Sequence, residues 1–295
     1  MKIYFHTAVC ALHKSLNAGK GMVIIMKISI FYNHIEEAAV QSGKTLAEVL
    51  VIARENGIQA VEIDAANLKT AEVEISAELQ KAGMTISCIC AHSDLGHSND
   101  FRQGFDLIDL AVRTGVEKVL LVPGFIKDTD NRDLVINQQI EAVRAACSYA
   151  KSKGVKVYME DYDDQRAPYS TLKDLYFFLK EIPELGCAFD TGNFLYNEED
   201  AEEALTLLLP YIGHVHMKDR SLSVKEGETP KLTIKGRKLY SSAVGEGCIP
   251  MQSICQRLID NGYQGTLAIE HFGSQNQLED MQKSAKWLKQ ISADI

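Results

Sequence analysis

The sequence predicts a single (β/α)8 barrel of the α/β class, and three observations carry that expectation. Short β-branched or apolar runs alternate with stretches of helical periodicity from Lys27 onward, glycines close several of those stretches, and no linker or shift in composition divides the series. A doubly wound sheet would have roughly five to seven strands and a glycine-rich phosphate-binding turn after the first, and no such turn follows the first strand here.

Taken in order, strands are expected over 28–32, 60–63, 86–91, 118–122, 156–160, 186–190, 214–218 and 266–271. Between them, helical periodicity covers 46–56, 101–114, 133–153, 171–181, 199–209, 251–261 and 278–291. Gly57, Gly115, Gly154 and Gly262 each stand just past a helical run and a few residues before a strand, where a left-handed C-terminal cap is needed. The long excursion over 221–247 follows the seventh strand, on the face where barrels of this kind place their substrate loops, so it is expected to cover a site. Residues 1–26 lie outside the repeating pattern and are expected to be an extension, leaving 27–295 as the catalytic barrel.

With 295 residues, 46% of them hydrophobic and 24% charged, the chain has the composition of a globular protein with a large core. A formal charge of -9 and a pI near 5.4 argue against an electrostatic grip on nucleic acid and favour a small-molecule partner. The seven cysteines are scattered, which reads as reduced, buried thiols in a cytoplasmic enzyme. The apolar stretch over 3–12 is broken by His6 and Thr7 and is too short to cross a bilayer, so no membrane association is expected.

The chemical signal lies where the late apolar strands run out. Glu160 follows Val-Tyr-Met, Asp190 follows Ala-Phe, His216 sits in His214-Val-His-Met-Lys218-Asp219, and Glu270 follows Ala-Ile. Strand ends converge at one barrel mouth and neighbouring strands are ~4.8 Å apart, so these four side chains can reach one ion. Three carboxylates and an imidazole, without thiolate, suit one hard or borderline divalent ion: Mn²⁺ or Mg²⁺ first, then Co²⁺ or Zn²⁺. Lys218 continues the alternation of His214 and His216, so all three are expected to face inward.

These segments, with Phe189-Asp-Thr-Gly-Asn193, Val244-Gly-Glu-Gly-Cys-Ile249 and Gly262-Tyr-Gln-Gly-Thr-Leu-Ala-Ile-Glu270, resemble the xylose isomerase-like TIM barrel superfamily, particularly its sugar phosphate isomerase/epimerase family. The resemblance runs from Lys27 to the C-terminus. It implies that Glu160, Asp190, His216 and Glu270 ligate the ion, that Glu160 and Glu270 flank a carbohydrate substrate as acid and base, and that His92 faces that substrate. Relatives of this kind are often homo-oligomers.

Departures from the pattern separate the branches. The DNA-repair endonucleases of the superfamily carry a histidine before Pro-Gly and another in an Asp-x-x-His motif, where this chain has Val122 and Asn193. Ketose 3-epimerases also tend to have histidine at the position of Asn193. Lys218 and Asp219 point toward the sugar phosphate isomerase and inosose dehydratase relatives. Lys218 and Arg220, with Lys225, Lys231, Lys235, Arg237 and Lys238 of the excursion, are candidates to hold a substrate hydroxyl, carboxylate or phosphate.

The expected chemistry is proton transfer next to a carbonyl through a metal-stabilised enediolate, giving isomerisation or epimerisation; loss of a β-hydroxyl instead would give inosose dehydratase-like lyase activity. A non-catalytic sugar-binding barrel and an abasic-site endonuclease are the remaining alternatives.

Overall fold

The computed structural model describes residues 26–293. Along the chain run β1 (Lys27–Phe31), α1 (Tyr32–Ser42), α2 (Leu46–Glu55), β2 (Ala60–Asp64), α3 (Ala65–Thr70), α4 (Glu72–Lys81), β3 (Thr85–His92), α5 (Arg102–Thr114), β4 (Lys118–Val122), α6 (Arg132–Lys153) and β5 (Lys156–Met159). There follow α7 (Leu172–Glu181), β6 (Gly186–Asp190), α8 (Ala201–Leu208), β7 (Ile212–Met217), β8 (Asp219–Ser221), β9 (Lys231–Leu232), β10 (Lys238–Ser242), α9 (Met251–Asp260), β11 (Thr266–Ile269) and α10 (Gln277–Ala293). Strands β1 to β7 and β11 pair in parallel and close on themselves, β11 returning to β1, so the chain forms one (β/α)8 barrel.

The local sequence explains most element boundaries. Thr45 caps α2 in a reciprocal box with Glu48, while Asn131, Thr171 and Asp200 accept from the first turns of α6, α7 and α8. Gly57, Gly115, Gly154 and Gly262 all take positive φ, as their places after helices require. Helix α1 was not expected: it starts directly on Phe31 with no side-chain cap, so its first residue reads as the end of a strand. The two short helices between β2 and β3 were also missed. The 221–247 excursion is less irregular than expected, because β9 and β10 fold against β8 as a three-stranded antiparallel sheet.

The main core lies between the barrel wall and the helices, built from residues such as Ile30, Val61, Leu107, Phe178, Leu205 and Leu267. A second, smaller cluster fills the inside of the barrel with Phe31, Cys88, Cys90, Leu120, Tyr158, Ala188 and Ala268. Tyr158 makes the floor: a Cβ at Gly186 or Gly213 would come within 2.5 Å of its ring or hydroxyl. The far end is therefore packed solid, and the open end faces the strand C-termini. Met26 is buried against the main core, whereas the rest of the expected extension lies outside the described residues. Among the described residues no helix is long and apolar enough to cross a membrane. Cys88, Cys90, Cys147, Cys187 and Cys255 are buried free thiols, whereas Cys248, against expectation, is exposed.

Candidate active site

Strands β5 and β11 stop one residue before Glu160 and Glu270, while Asp190 and His216 are still in β6 and β7. The barrel brings the four together. His216 Nδ1 lies 2.9 Å from Glu160 Oε2, 3.4 Å from Glu270 Oε2 and 3.9 Å from Asp190 Oδ2. Donor atoms of Glu160, Asp190 and His216 all lie within 4.8 Å of one another. Glu270 stands beside this trio, its second oxygen held 2.5 Å from Lys218 Nζ.

Each member is held by its own surroundings. Asp190 Oδ1 accepts the backbone N–H groups of Gly192 and Asn193 at 2.7 and 2.9 Å, so the Asp-Thr-Gly-Asn turn ties down one carboxylate oxygen. The other, Oδ2, accepts no hydrogen bond and faces the Lys218 ammonium at 3.0 Å and His216 Nδ1 at 3.9 Å. Gly192 is required here, since a Cβ would sit 2.5 Å from the Lys218 carbonyl oxygen. Thr191 Oγ1 accepts from Lys218 N–H and binds the β6 turn to the end of β7. Beyond Glu270, His271 donates its backbone N–H to His34 Nε2, and its ring contacts Gln277 and Ser284, which fixes the end of β11 against α1 and α10.

Asp219 anchors the covering sheet. Its carboxylate accepts the N–H groups of Arg220, Gly245, Gly247 and Ile249 at 2.8 to 3.2 Å. A Cβ at Gly247 would collide with that carboxylate, and one at Gly245 (φ +87°) with the Trp287 indole. The Val-Gly-Glu-Gly-Cys-Ile segment thus wraps an aspartate.

The electrostatics follow from burial in a crowded pocket. Burial pushes the Glu270 carboxyl up to about 8, with Lys218 opposing and Asp190 adding to the rise. Burial also raises Glu160, although His216 works against it. Burial alone would lower His216 and Lys218, but neighbouring carboxylates hold both above their ordinary values: Glu62 and Glu160 for the imidazole, Asp190 and Glu270 for the ammonium. A carboxylate-rich ring in which one Asp190 oxygen accepts no hydrogen bond fits a divalent cation, the donor set being oxygen with one imidazole nitrogen.

The ring opens into a cavity of about 670 Å³. His92 lines it with Nε2 2.9 Å from the Tyr162 hydroxyl. Asn193 is buried, donating to the Asp161 carbonyl and accepting from Lys218 Nζ at 2.7 Å. Arg220 lines the cavity with a terminal nitrogen 3.4 Å from Asp163, and its Nε has no partner. Of the basic residues in the excursion, Lys231 reaches the cavity, beside Asp163, whereas Arg237 is turned onto Glu198. The sequence reading missed Phe31 and Phe272, which form an aromatic wall, the Phe31 ring meeting His216 edge-on at 5.0 Å. It also missed Glu62, which contacts His214 and His216 from across the barrel. A lone glutamate inside Ala-Val-Glu-Ile was the available signal.

Comparison with known proteins agrees with this architecture. Residues 50–291 match the family described as xylose isomerase-like TIM barrel. An inosose dehydratase of Clostridium perfringens (strain 13 / Type A) is 30% identical over 156 residues, 51% of this chain and 52% of the relative, so the chain spans about half the length of the curated relative it matches. The probable 3-DHS dehydratase AsbF of Bacillus anthracis shares the fold with a TM-score of 0.69 at 20% identity, over 90% of this chain and 99% of that one. The 3-keto-D-glucoside 4-epimerase YcjR of E. coli gives 0.66 at 17%, over 90% and 100%. A xylose isomerase-like TIM barrel protein of Mycobacterium smegmatis in complex with magnesium gives 0.63 at 20%, over 84% and 88%. At these identities the structural likeness is one of fold, and the family match over residues 50–291 is what decides: the chain belongs to the xylose isomerase-like TIM barrel family.

Proposed function

We propose that the chain is a divalent-metal-dependent isomerase or epimerase that moves a proton at a carbon next to the carbonyl of a polyhydroxylated substrate. The observation that carries this reading is the pair Glu160 and Glu270, two buried carboxyls that line the cavity with oxygens 2.9 and 3.4 Å from His216 Nδ1. A divalent ion held by Glu160, Asp190, His216 and Glu270, with Mn²⁺ or Mg²⁺ preferred, would supply Lewis-acid polarisation of the substrate carbonyl.

The chain's own groups do the rest. One glutamate takes the carbon-bound proton and the other, protonated, returns one; the raised Glu270 value belongs to the ion-free ring, and a bound cation would lower it. Lys218, pinned by Asp190, Glu270 and Asn193, keeps a positive charge beside the developing negative charge. Phe31 and Phe272 cover the apolar face of a sugar, while His92, Arg220 and Lys231 reach its hydroxyl or anionic groups from the cavity wall. Return of the proton to the same carbon gives an epimer and to the adjacent carbon an isomer.

A second reading, loss of a β-hydroxyl from the same proton abstraction, is favoured by the relatives named inosose dehydratase. Metal-loaded protein incubated in deuterium oxide with free ketoses, ketose phosphates and inososes separates the two. Deuterium incorporation without loss of water is expected for the isomerase or epimerase, and an enone absorbance for the dehydratase. Glu160→Gln and Glu270→Gln should each slow exchange about 10²- to 10⁴-fold. Absence of exchange and of dehydration on every substrate would sink both readings and leave a binding barrel.

A further inference from the structure

Glu62 projects from the middle of β2 into the barrel, fully buried, on the opposite side from the charged ring. Its Oε2 lies 2.7 Å from His214 Nε2 and its Oε1 lies 3.2 Å from His216 Nε2. A carboxylate only accepts, so both imidazoles must point N–H groups at it. Nδ1 faces carboxylates as well, Glu160 Oε2 at 2.9 Å, so without an ion both ring nitrogens carry protons; an ion taken up by the ring displaces the Nδ1 proton while Glu62 keeps the one on Nε2. His214 Nδ1 has no partner, as befits a lone pair, since an N–H buried there without an acceptor would be the costlier choice. The two rings stand perpendicular, 5.2 Å apart, and the Phe31 ring closes on His216 at 75°, so the imidazole is clamped on its flanks as well.

We propose that Glu62 is a positioning residue of the metal site, fixing the tautomer and orientation of His216 so that Nδ1 is presented to the ion. A carboxylate behind a ligating imidazole sets ring orientation and raises ligand basicity, and its loss typically weakens metal affinity about 10- to 100-fold. Across the barrel from the ring, Glu62 thereby couples β2 to the chemistry at the ends of β5, β6, β7 and β11. The same three residues, Glu62, His214 and His216, are also close enough to hold an ion of their own, but each Glu62 oxygen is already engaged by an imidazole.

This inference rests on the reading that the ring holds a divalent ion, and the test keeps the two apart. The full-length protein and Glu62→Gln are titrated with Co²⁺ by calorimetry, and wild-type protein labelled with ¹⁵N-histidine is examined with and without Zn²⁺. The expected result is one ion per chain in both proteins, an affinity for Co²⁺ about 10- to 100-fold weaker in Glu62→Gln, and a Zn²⁺-dependent shift at His216 Nδ1 with the proton kept on Nε2. Coordination through Nε2, or equal affinity in the variant, would overturn the role of Glu62 and leave the ring reading intact. Two ions per chain, one of them lost in Glu62→Gln, would make Glu62 a ligand instead. No binding by wild-type protein would remove the ring reading and this inference together. If Glu62→Gln does not fold, the wild-type ¹⁵N spectra decide alone.

Discussion

The two halves of the barrel mouth differ in chemistry although one backbone geometry builds both. The ends of β5, β6, β7 and β11 carry Glu160, Asp190, His216 and Glu270, whereas β1, β3 and β4 present the buried Phe31, Cys90, Leu120 and Val122 to the same cavity, with Asp64 and His92 more exposed at the ends of β2 and β3. A substrate bound as proposed would turn its hydroxyl edge toward the ring and its C–H face toward these apolar residues. The apolar half also lowers the local dielectric, which strengthens each interaction across the cavity.

The strongest way to break this asymmetry is to place a charge on the apolar half. Leu120 is 2% exposed, inside the barrel among Phe31, Cys90 and Tyr158. Leu120→Asp should cost about 3–5 kcal/mol, because the new carboxylate is buried without a cationic partner. Chemical denaturation measures it; an unchanged midpoint would show that this wall is wet.

The asymmetry was partly legible in the sequence. Glu160, Asp190, His216 and Glu270 stand out because each ends an apolar run, and the period of 2 put His214, His216 and Lys218 on one face. The strand positions followed from the same pattern, and the helix-closing glycines from backbone conformation. Glu62 stayed hidden because its meaning depends on partners 152 and 154 residues away. Asp219 was seen as half of a Lys-Asp pair, but its four backbone donors come from its neighbour and from a loop about 30 residues later. Helix α1 carries no capping signal, β8 and β9 of the covering sheet are too short for alternation to register, and β10 is buried over four successive residues instead of alternating.

A smaller effect tests what supports the charged half. Burial and the nearby His34 lower His271 from 6.5 to about 3. Between those values the unfolded chain binds a proton that the folded one does not, so stability rises with pH there and falls as pH drops below about 6.5. The loss should reach a few kcal/mol near pH 3 and flatten below it, and His271→Gln should remove this part of the slope in pH-dependent denaturation. In the metal-free protein Glu270 acts with the opposite sign: its folded value is raised from 4.5 to about 8, so its contribution is present at low pH and is lost as pH rises through that window. Glu270→Gln should therefore stabilise the protein at pH 8 relative to pH 5, and a wild-type profile flat over both windows would contradict both assignments.

The mildest change loosens the cover without touching the ring. In Asp219→Asn one amide group replaces an oxygen that accepts from the loop backbone, so either Gly245 and Gly247 or Arg220 and Ile249 lose their acceptor and meet N–H groups instead. Asp219 lies in a polar, largely buried cradle, and the expected cost is about 1–3 kcal/mol, confined to the loop and the sheet it holds. Hydrogen exchange read by mass spectrometry should show faster exchange over residues 244–249 and in β8 and β10, with protection of β5 and β6 unchanged. Because Arg220 and Ser241 belong to the cavity wall and ride on that sheet, KM should rise more than kcat falls. A fall in kcat at constant KM would instead mean that Asp219 acts on the charged half through Lys218, its neighbour in the chain, and that the two halves of the mouth are mechanically one.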